Sequence, residues 1–420
     1  MPTSLAGDSP RHLLRKRNHR VLRGLALTLT GILSFGGTAA ALVNHDLQSQ
    51  LNVDNIDDLL GTNRPTIVAD PDDPYAGKQL NILLMGTDLR DAENVAIAGE
   101  ASGMASDTTM LVHVSGDRSR VEVVSIPRDS LVAIPSCQTG DGATSAPQAS
   151  AMFNSAFAIG AGNAQDLATA AACTVRTVEE LTGVRVTSHV VLKMTGVIDV
   201  VDAVGGIPMC LPEPVVENRK YGTLNLPAGK QTLDGRTAIS FLRARHGKGM
   251  GLEVGSDLTR IQRQQAFLDA AAHEILGQNL ITNSPELYAV AKAVLGAMNT
   301  SPDLGSPTAL AGLAFSLRSI NLADISFTSV PVAAAPSDPN RVVWTSEAAA
   351  IWERIISDDP VPGTPAAAAS EAPVEPTEEA PQGGETTAPE APAAPATEAP
   401  ATQPPAQTPT QTPTPRAGVC

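Results

Sequence analysis

Two carboxylates and one arginine stand at the ends of three short apolar runs. Asp88 follows "NILLMG", Asp107 opens "DTTMLVHV", and Arg128 follows "RVEVVSI". The short connection "SGDRS" predicts that the second and third runs form an antiparallel hairpin, which brings Asp107 close to Arg128. If the first run also pairs antiparallel to the second, Asp88 and Arg90 reach the same sheet edge. Acidic oxygens beside guanidinium groups suit a divalent cation together with a phosphate.

A second basic group lies further along the chain. Arg243 and Arg245 are two residues apart and share a face if that piece is extended. Arg260, Arg263 and Gln264 are spaced to line one face near the start of a predicted helix. Taken singly, such residues are typical of turns and solvated surfaces. In a chain with a formal net charge of -15, however, clustered arginines rather than lysines favour two-point recognition of phosphate.

The elements that must position these residues form one mixed α/β domain, predicted over residues 73–357. Short β-branched runs come first. Helical periods follow in "AQDLATAAACTVRTVEELTG", "TRIQRQQAFLDAAAHEILGQ" and "SPELYAVAKAVLGAM".

The N-terminal region has the pattern of a membrane anchor. The uncharged run over 24–43 has about the 20 residues that a helix needs to cross a bilayer. Six arginine and lysine residues precede it, so residues 1–23 should be cytoplasmic and the rest external. A cleaved signal peptide is the alternative, since "GGTAAAL" contains small residues, but the full spanning length favours an uncleaved single-pass anchor. Residues 44–72 are expected to be an extracytoplasmic linker.

The C-terminal segment over 358–420 is rich in Pro, Ala, Thr and Glu and has hardly any bulky apolar side chains. Such a composition cannot offset chain entropy by burial, which predicts a disordered acidic tail. The acidic balance of the whole chain also makes nucleic acid an unexpected partner.

Seven motifs resemble, in order and spacing, those of the LytR-CpsA-Psr family of cell-wall glycopolymer ligases. They are "NILLMGTDLR", "SDTTMLVHV", "VVSIPRDS", "FNSAFAIGAG", "VDAVGGI", "LDGRTAISFLRARH" and "RIQRQQAFL". The resemblance covers most of residues 80–276 and extends to the order of a basic end, one membrane helix and an external domain. It implies a three-layer α/β/α sandwich with a central mixed sheet and an apolar pocket for a polyprenyl chain.

The resemblance also implies an activity. The enzyme would move a glycan-1-phosphate from a polyprenyl-pyrophosphate carrier to a peptidoglycan sugar, at the C6 hydroxyl of N-acetylmuramic acid. Asp88 and Asp107 match acidic residues that hold magnesium or manganese or assist the acceptor. The matches directed at the pyrophosphate are Arg128, Arg243, Arg245, Arg260, Arg263 and Gln264. Ala105 and Met152 replace basic residues common in the family, and Arg90 is the expected substitute contact.

The chemistry itself needs charge neutralisation on the leaving phosphate and a base for the acceptor hydroxyl. Asp88 is the first choice for the base and Asp107 the second. If water replaces the sugar, the same site is a polyprenyl-pyrophosphate hydrolase. A non-catalytic wall-binding or regulatory protein is a further alternative, although an aromatic content of 3% is low for a glycan binder. Which glycopolymer is carried, such as arabinogalactan or teichoic acid, stays open.

Four cysteines remain, and none lies in a C-x-x-C pair that would indicate zinc or thioredoxin-like chemistry. An external location permits disulfides. In the implied fold we predict a bond between Cys173 and Cys210. Cys137 would then be free or paired with Cys420.

Overall fold

The computed structural model describes residues 19–62, 64–65, 78–87, 89, 104–277, 284–318, 320 and 322–364. Its strands, in chain order, are β1 (Asn52–Val53), β2 (Leu80–Thr87), β3 (Ser106–Val114), β4 (Val121–Ile126), β5 (Leu131–Ile134), β6 (Gln148–Met152), β7 (Ser188–Lys193), β8 (Ile207–Leu211), β9 (Val215–Glu217), β10 (Asn225–Leu226), β11 (Gly229–Leu233), β12 (Gly247–Lys248), β13 (Met298–Thr300), β14 (Ile325–Ser329), β15 (Val332–Ala335) and β16 (Asp338–Trp344).

The α-helices within the same residues are α1 (His19–Gln50), α2 (Asp57–Leu60), α3 (Ser155–Ala161), α4 (Leu167–Thr182), α5 (Met194–Ala203), α6 (Gly235–Arg243), α7 (Asp257–Gly277), α8 (Ser284–Ala297), α9 (Pro307–Ser316) and α10 (Glu347–Ser357). The three helical periods of the sequence correspond to α4, α7 and α8.

A mixed seven-stranded sheet forms the centre, in the order β1-β13-β7-β2-β3-β4-β14. β3 pairs antiparallel with β2 and with β4, as predicted, while β7 lies parallel to β2. Thr87 pairs with Ser106, and Thr109 pairs with Ile126. β2 and β4 therefore end, and β3 begins, at the same end of the sheet, which forms the polar sheet edge.

Helices cover both faces of the sheet, because the side chains of each strand alternate between two apolar layers. Leu83 and Met85 of β2 belong to a core that includes residues of α3, α4 and α10. Ile82 and Leu84 of the same strand pack on the opposite face, in a cluster shared with α8 and α9. A further core packs the antiparallel pair of β8 and β11 against α5, α6 and α7. The predicted α/β/α sandwich is confirmed.

The apolar helix α1 has the length and composition to span a membrane, and its side chains from Leu25 to His45 are exposed. It continues beyond the predicted span into the folded domain. Lys292 Nζ lies 3.2 Å from Asp46 Oδ2, and the Tyr288 hydroxyl also donates to that carboxylate. Residues 52–60 then form β1, which pairs with β13, and α2. The segment expected as a linker over 44–72 is thus part of the domain as far as its described residues extend.

The domain also continues past residue 357. The carboxylate of Asp358 accepts a hydrogen bond from the Gly116 amide at 2.8 Å and pairs with Arg120 at 2.6 Å. Residues 365–420, which make up most of the predicted tail, and residues 1–18 lie outside the described residues.

A disulfide joins Cys137 and Cys173, with their Cα atoms 5.4 Å apart, so the predicted Cys173–Cys210 bond is wrong. Cys173 lies on α4 and is buried with Cys137 in the core on one side of the sheet. Cys210 lies on β8, opposite Lys230 of β11, and its neighbours Met209 and Leu211 belong to a different core. Cys420 lies outside the described residues.

Candidate functional site

Asp107 is the centre of the polar sheet edge. Its Oδ1 lies 2.7 Å from Arg128 Nη1, and its Oδ2 lies 2.7 Å from Arg245 Nη2. Asp107 is the second residue of β3, and Arg128 follows the end of β4 by two residues, so the hairpin alone brings this pair together. The predicted proximity of Asp107 and Arg128 is confirmed. Arg245 arrives from the segment that follows α6.

Asp257, which was not singled out from the sequence, links Arg128 to α7. Its carboxylate accepts a hydrogen bond from the Arg128 amide at 3.2 Å and lies 3.4 Å from Arg128 Nε. It also pairs with Arg260, three residues later on the same helix. An acidic residue in the first turn of a helix is favoured by the helix dipole. This position, three residues before Arg260, was the one sequence signal that could have pointed to Asp257.

The predicted face of α7 divides between two roles. Gln264 Nε2 donates to Thr108 Oγ1 at 2.9 Å, and Arg260 Nη2 donates to the Asp107 carbonyl at 3.4 Å. Arg263 is only 2% exposed and faces away from this edge. Its guanidinium donates to the carbonyls of Met250, at 3.2 Å, and Ala244. Arg263 therefore supports the segment that carries Arg245.

Burial and the attraction of nearby arginines act in opposite directions on the pKa values of the carboxyl groups at this edge. Burial raises the pKa of Asp107, but attraction and a hydrogen bond from Arg128, together with Arg245 and Arg260, hold that pKa below its ordinary value. Burial also raises the pKa of Asp257, which Arg260 and Arg128 only partly offset. For Arg263, burial and the neighbouring Arg260 lower the pKa to about 10. Asp107 is therefore firmly anionic.

A cavity of about 510 Å³ opens at this edge, between the sheet and α5, α6 and α7. The exposed side chains of Arg243, Arg245 and His246 mark its mouth, and the lining as a whole combines a polar set with an apolar set. The polar set includes Asp107, Thr108, Lys193, Arg243, Arg245, His246, Arg260 and Gln264. The apolar set is Leu84, Met110, Leu192, Met194, Val197, Ile239, Leu242, Phe267 and Leu268. The site can hold an anion against its polar side chains and a hydrocarbon chain against its apolar ones.

Some predicted residues lie outside this description, and some cavity residues were not predicted. Asp88 and Arg90 lie outside the described residues. Lys193 and His246 line the cavity without having been singled out. Lys193 is the last residue of β7 and pairs with Thr87 of β2. The sequence gives no local signal for that parallel pairing, because the two strands are a hundred residues apart.

The family model described as the LytR_cpsA_psr family matches residues 43–355, which include every described residue of the site. The chain belongs to the LytR_cpsA_psr family. The match begins within the last part of the apolar run and therefore leaves out most of the anchor.

Two named proteins are similar to this chain in sequence. The cell wall biosynthesis protein LcpA of Corynebacterium glutamicum is 30% identical over 274 residues, 60% of this chain and 50% of the relative. The polyisoprenyl-teichoic acid–peptidoglycan teichoic acid transferase TagU of Oceanobacillus iheyensis is 31% identical over 211 residues, 50% of this chain and 55% of the relative. The chain thus spans about half the length of these curated relatives.

A crystal structure of a Streptococcus agalactiae protein has the same fold. It superposes with a TM-score of 0.50 at 22% identity, covering 68% of this chain and 90% of the other. This likeness supports the overall architecture described above.

The carboxylate of Asp107 has the donor capacity for a divalent cation. Each of its oxygens accepts one hydrogen bond from an arginine, and a carboxylate oxygen has two lone-pair directions. Magnesium in phosphoryl-transfer sites is typically held by one or two carboxylates and by oxygens of the substrate phosphates. Asp107 fits the first of these, and Asp88, the other predicted ligand, lies outside the described residues.

Proposed function

We propose that this chain is a membrane-anchored phosphotransferase. It moves a glycan-1-phosphate from a polyprenyl-pyrophosphate carrier to a hydroxyl of a peptidoglycan sugar. The observation that carries the proposal is the joining of two features in one cavity: an arginine cluster around Asp107 and a set of apolar lining side chains. A pyrophosphate linked to a long hydrocarbon has the matching pair of properties.

The arginines would bind the pyrophosphate of the donor. Arg245 is exposed at the mouth, and Arg260 is buried behind it. Both line the cavity, as does Arg243. Buried guanidinium groups bind phosphate oxygens strongly because little water competes and the planar fork matches two oxygens. The first isoprene units would then contact the apolar walls, including Leu242 and Phe267.

The transfer step breaks one bond and forms one. The sugar hydroxyl oxygen attacks the phosphorus next to the glycan, and the bond from that phosphorus to the bridging oxygen breaks. The bridging oxygen leaves on the lipid as polyprenyl monophosphate, and the hydroxyl proton passes to a carboxylate. A magnesium or manganese ion, when bound, would neutralise charge on the phosphates.

The charge state of Asp107 supports Asp88 as the base. A general base works best when its pKa lies near the operating pH. The arginines hold the pKa of Asp107 below the ordinary value for a carboxyl group, so its carboxylate is a weak proton acceptor. Asp107 is better suited to hold the cation and to orient Arg128 and Arg245.

The proposed location is the cell membrane, with the N-terminus cytoplasmic and the domain external. The six basic residues before the uncharged run over 24–43 support this orientation. A reporter that works only after export should be active when fused after Ser357. Activity of a cytoplasm-dependent reporter at that position would reverse the orientation. The names of LcpA and TagU, which concern the cell wall and its peptidoglycan, support the same compartment.

The activity can be tested by incubating the full chain in lipid vesicles with a labelled polyprenyl-pyrophosphate glycan, with and without peptidoglycan. A transferase releases lipid phosphate mainly when peptidoglycan is present and puts the label on it. A hydrolase cleaves the donor equally without the acceptor. A wall-binding protein leaves the donor intact under both conditions.

A further inference from the structure

Helix α9 is apolar, yet only one side of it packs against a core. The chain carries no charged residue from Leu304 to Leu317. None of the residues of α9 is buried, and the side chain of Phe315 is 66% exposed. Ala311 and Ala314 are exposed on the same helix. A contiguous apolar surface of this kind in a folded domain marks a contact with something other than water.

The position of α9 is tied to the end of α1. Gln48 Nε2 donates to the carbonyl of Gly305, two residues before α9, at 3.0 Å. Leu310 and Leu313 pack against the cluster that also takes Leu47 of α1. One side of α9 is therefore fixed to the base of the anchor, and the side with Phe315 remains uncovered.

The number of residues between the uncharged run and Gln48 on α1 sets how far the start of α9 lies from the hydrocarbon core of the bilayer. From Val43, the last residue of the uncharged run, to Gln48 the helix rises roughly 7–8 Å at 1.5 Å per residue. The polar layer on one side of a bilayer is about 5–7 Å thick, half the difference between the full bilayer and its hydrocarbon core. The start of α9 thus lies at the level where lipid headgroups meet water.

We propose that α9 is a second membrane contact, lying in the interface of the bilayer that α1 crosses. The inference rests on the proposed anchoring by α1. Because α9 contacts the end of the anchor, its exposed apolar side is more suited to lipid than to a partner protein. Arg318 agrees with this assignment. Its guanidinium stacks 3.8 Å over the Phe315 ring and hydrogen bonds to the Phe315 carbonyl at 2.8 Å, so a cation stands beside the apolar surface where lipid phosphates lie.

A second contact changes what the anchor can do. A single spanning helix leaves the attached domain free to rotate about the helix axis. Here, the bonds from Lys292 and Tyr288 to Asp46 fix α1 to α8, and α9 in the interface restrains the rotation. The mouth of the cavity then keeps one orientation towards the bilayer, from which a lipid donor must come.

The test places a tryptophan on α9 in the full chain, reconstituted in phosphatidylglycerol–phosphatidylcholine vesicles. Phe315→Trp and Ala311→Trp report from α9. Ile356→Trp is the matched control, since Ile356 is 48% exposed on α10, which contacts β4 through Arg354 and Glu122 rather than α1. Quenching by lipids brominated near the headgroup and by aqueous iodide is measured against wild type, which contains Trp344 and Trp352 alone.

We expect bromolipid to quench the two α9 probes at least twofold more strongly than the control, and iodide to quench the control more strongly. Equal iodide quenching of all three probes overturns the proposal. Shielding of the α9 probes from both quenchers, growing with protein density, assigns the surface to a second copy and also overturns it. Flotation of the variants with vesicles after an alkaline wash measures the membrane insertion of α1 independently. A chain that is not anchored by α1 can therefore be distinguished from an anchored chain whose α9 does not contact lipid.

Discussion

Asp107 holds two arginines from distant parts of the chain, with Arg128 Nη1 2.7 Å from one carboxylate oxygen and Arg245 Nη2 2.7 Å from the other. The first partner is 21 residues away and the second 138. One carboxylate of the cavity lining thus fixes two guanidinium groups, of which that of Arg245 also lines the cavity. Loss of Asp107 should affect both arginines, because its carboxylate pairs with each of them.

Replacing Arg128 with Ala should lower the rate of glycan transfer by on the order of 100-fold or more, since a positioned charge on the reacting phosphates is lost. Thermal unfolding should show an intact fold, because Arg128 lies at a partly open edge. Arg236→Ala is the matched control, as Arg236 is exposed on α6 and lies beside Asp234, whereas Arg128 pairs with Asp107. Equal rates for the two variants would remove Arg128 from the site.

Arg245→Lys should lose about 10-fold to 100-fold in transfer rate, although the charge is kept. An ammonium group cannot make a planar two-point contact with a phosphate while also reaching Asp107. Steady-state kinetics with increasing donor concentration would measure the effect. A variant with wild-type rates would show that Arg245 acts only through its net charge.

Chelation of divalent cations with EDTA should mimic Asp107→Ala, because the proposed task of this carboxylate is to hold the ion. Added Mg²⁺ should restore the wild-type enzyme and not the variant. We further expect Asp88→Ala to lose turnover while Mn²⁺ binding, measured by electron paramagnetic resonance in the presence of donor, persists. Loss of both would make Asp88 a ligand, and undiminished transfer in EDTA would exclude a required cation.

The stability contribution of Asp107 should depend on pH in a defined direction. Its pKa in the folded chain lies below the ordinary value of 3.8, so its ion pairs stabilise the fold above that value. The contribution is lost as the pH falls through the lowered pKa. The difference in melting temperature between wild type and Asp107→Asn should therefore be largest near pH 7 and shrink below about pH 4. A difference that grows on acidification would contradict the ion-pair account.

Removing the Cys137–Cys173 bond should lower the free energy of unfolding by about 4 kcal/mol in the chain-entropy model, given the 36-residue separation. Urea titration of Cys137→Ala and Cys173→Ala would measure it, and both variants should be affected alike. Peptide mapping without reductant should recover residues 137 and 173 in one linked pair. Recovery of Cys173 joined to Cys210 would contradict the structure.

The central hairpins and the polar edge could be predicted because their signals are local. β3 and β4 are joined by a short turn, and once they pair antiparallel Asp107 must approach Arg128. Helical spacing correctly placed Arg260 and Gln264 of α7 on one side of the helix, whereas Arg263 instead donates to the carbonyls of Met250 and Ala244. Asp257 was missed because its partner Arg128 is 129 residues away and comes from another element.

The disulfide and the limits of the domain depend on contacts that leave no local pattern. Cys137 and Cys173 meet because α4 packs on the side of the sheet that also covers Cys137, whereas the strand of Cys210 folds onto a separate core. Residues 52–53 pair with β13, more than two hundred residues later. A polar segment after an apolar run is typical of a linker, and only the distant strand makes it an edge of the sheet.

The most direct measurement follows the two phosphorus atoms of the donor separately. A polyprenyl-pyrophosphate glycan labelled at one or the other phosphorus is given to the vesicle-bound chain with peptidoglycan, and to Arg128→Ala and Arg236→Ala in parallel. We expect the phosphorus next to the glycan to end in a phosphodiester on peptidoglycan and the other to stay on the lipid, in wild type and Arg236→Ala only. Appearance of the first label as a free glycan phosphate, at the same rate with or without peptidoglycan, would contradict this expectation.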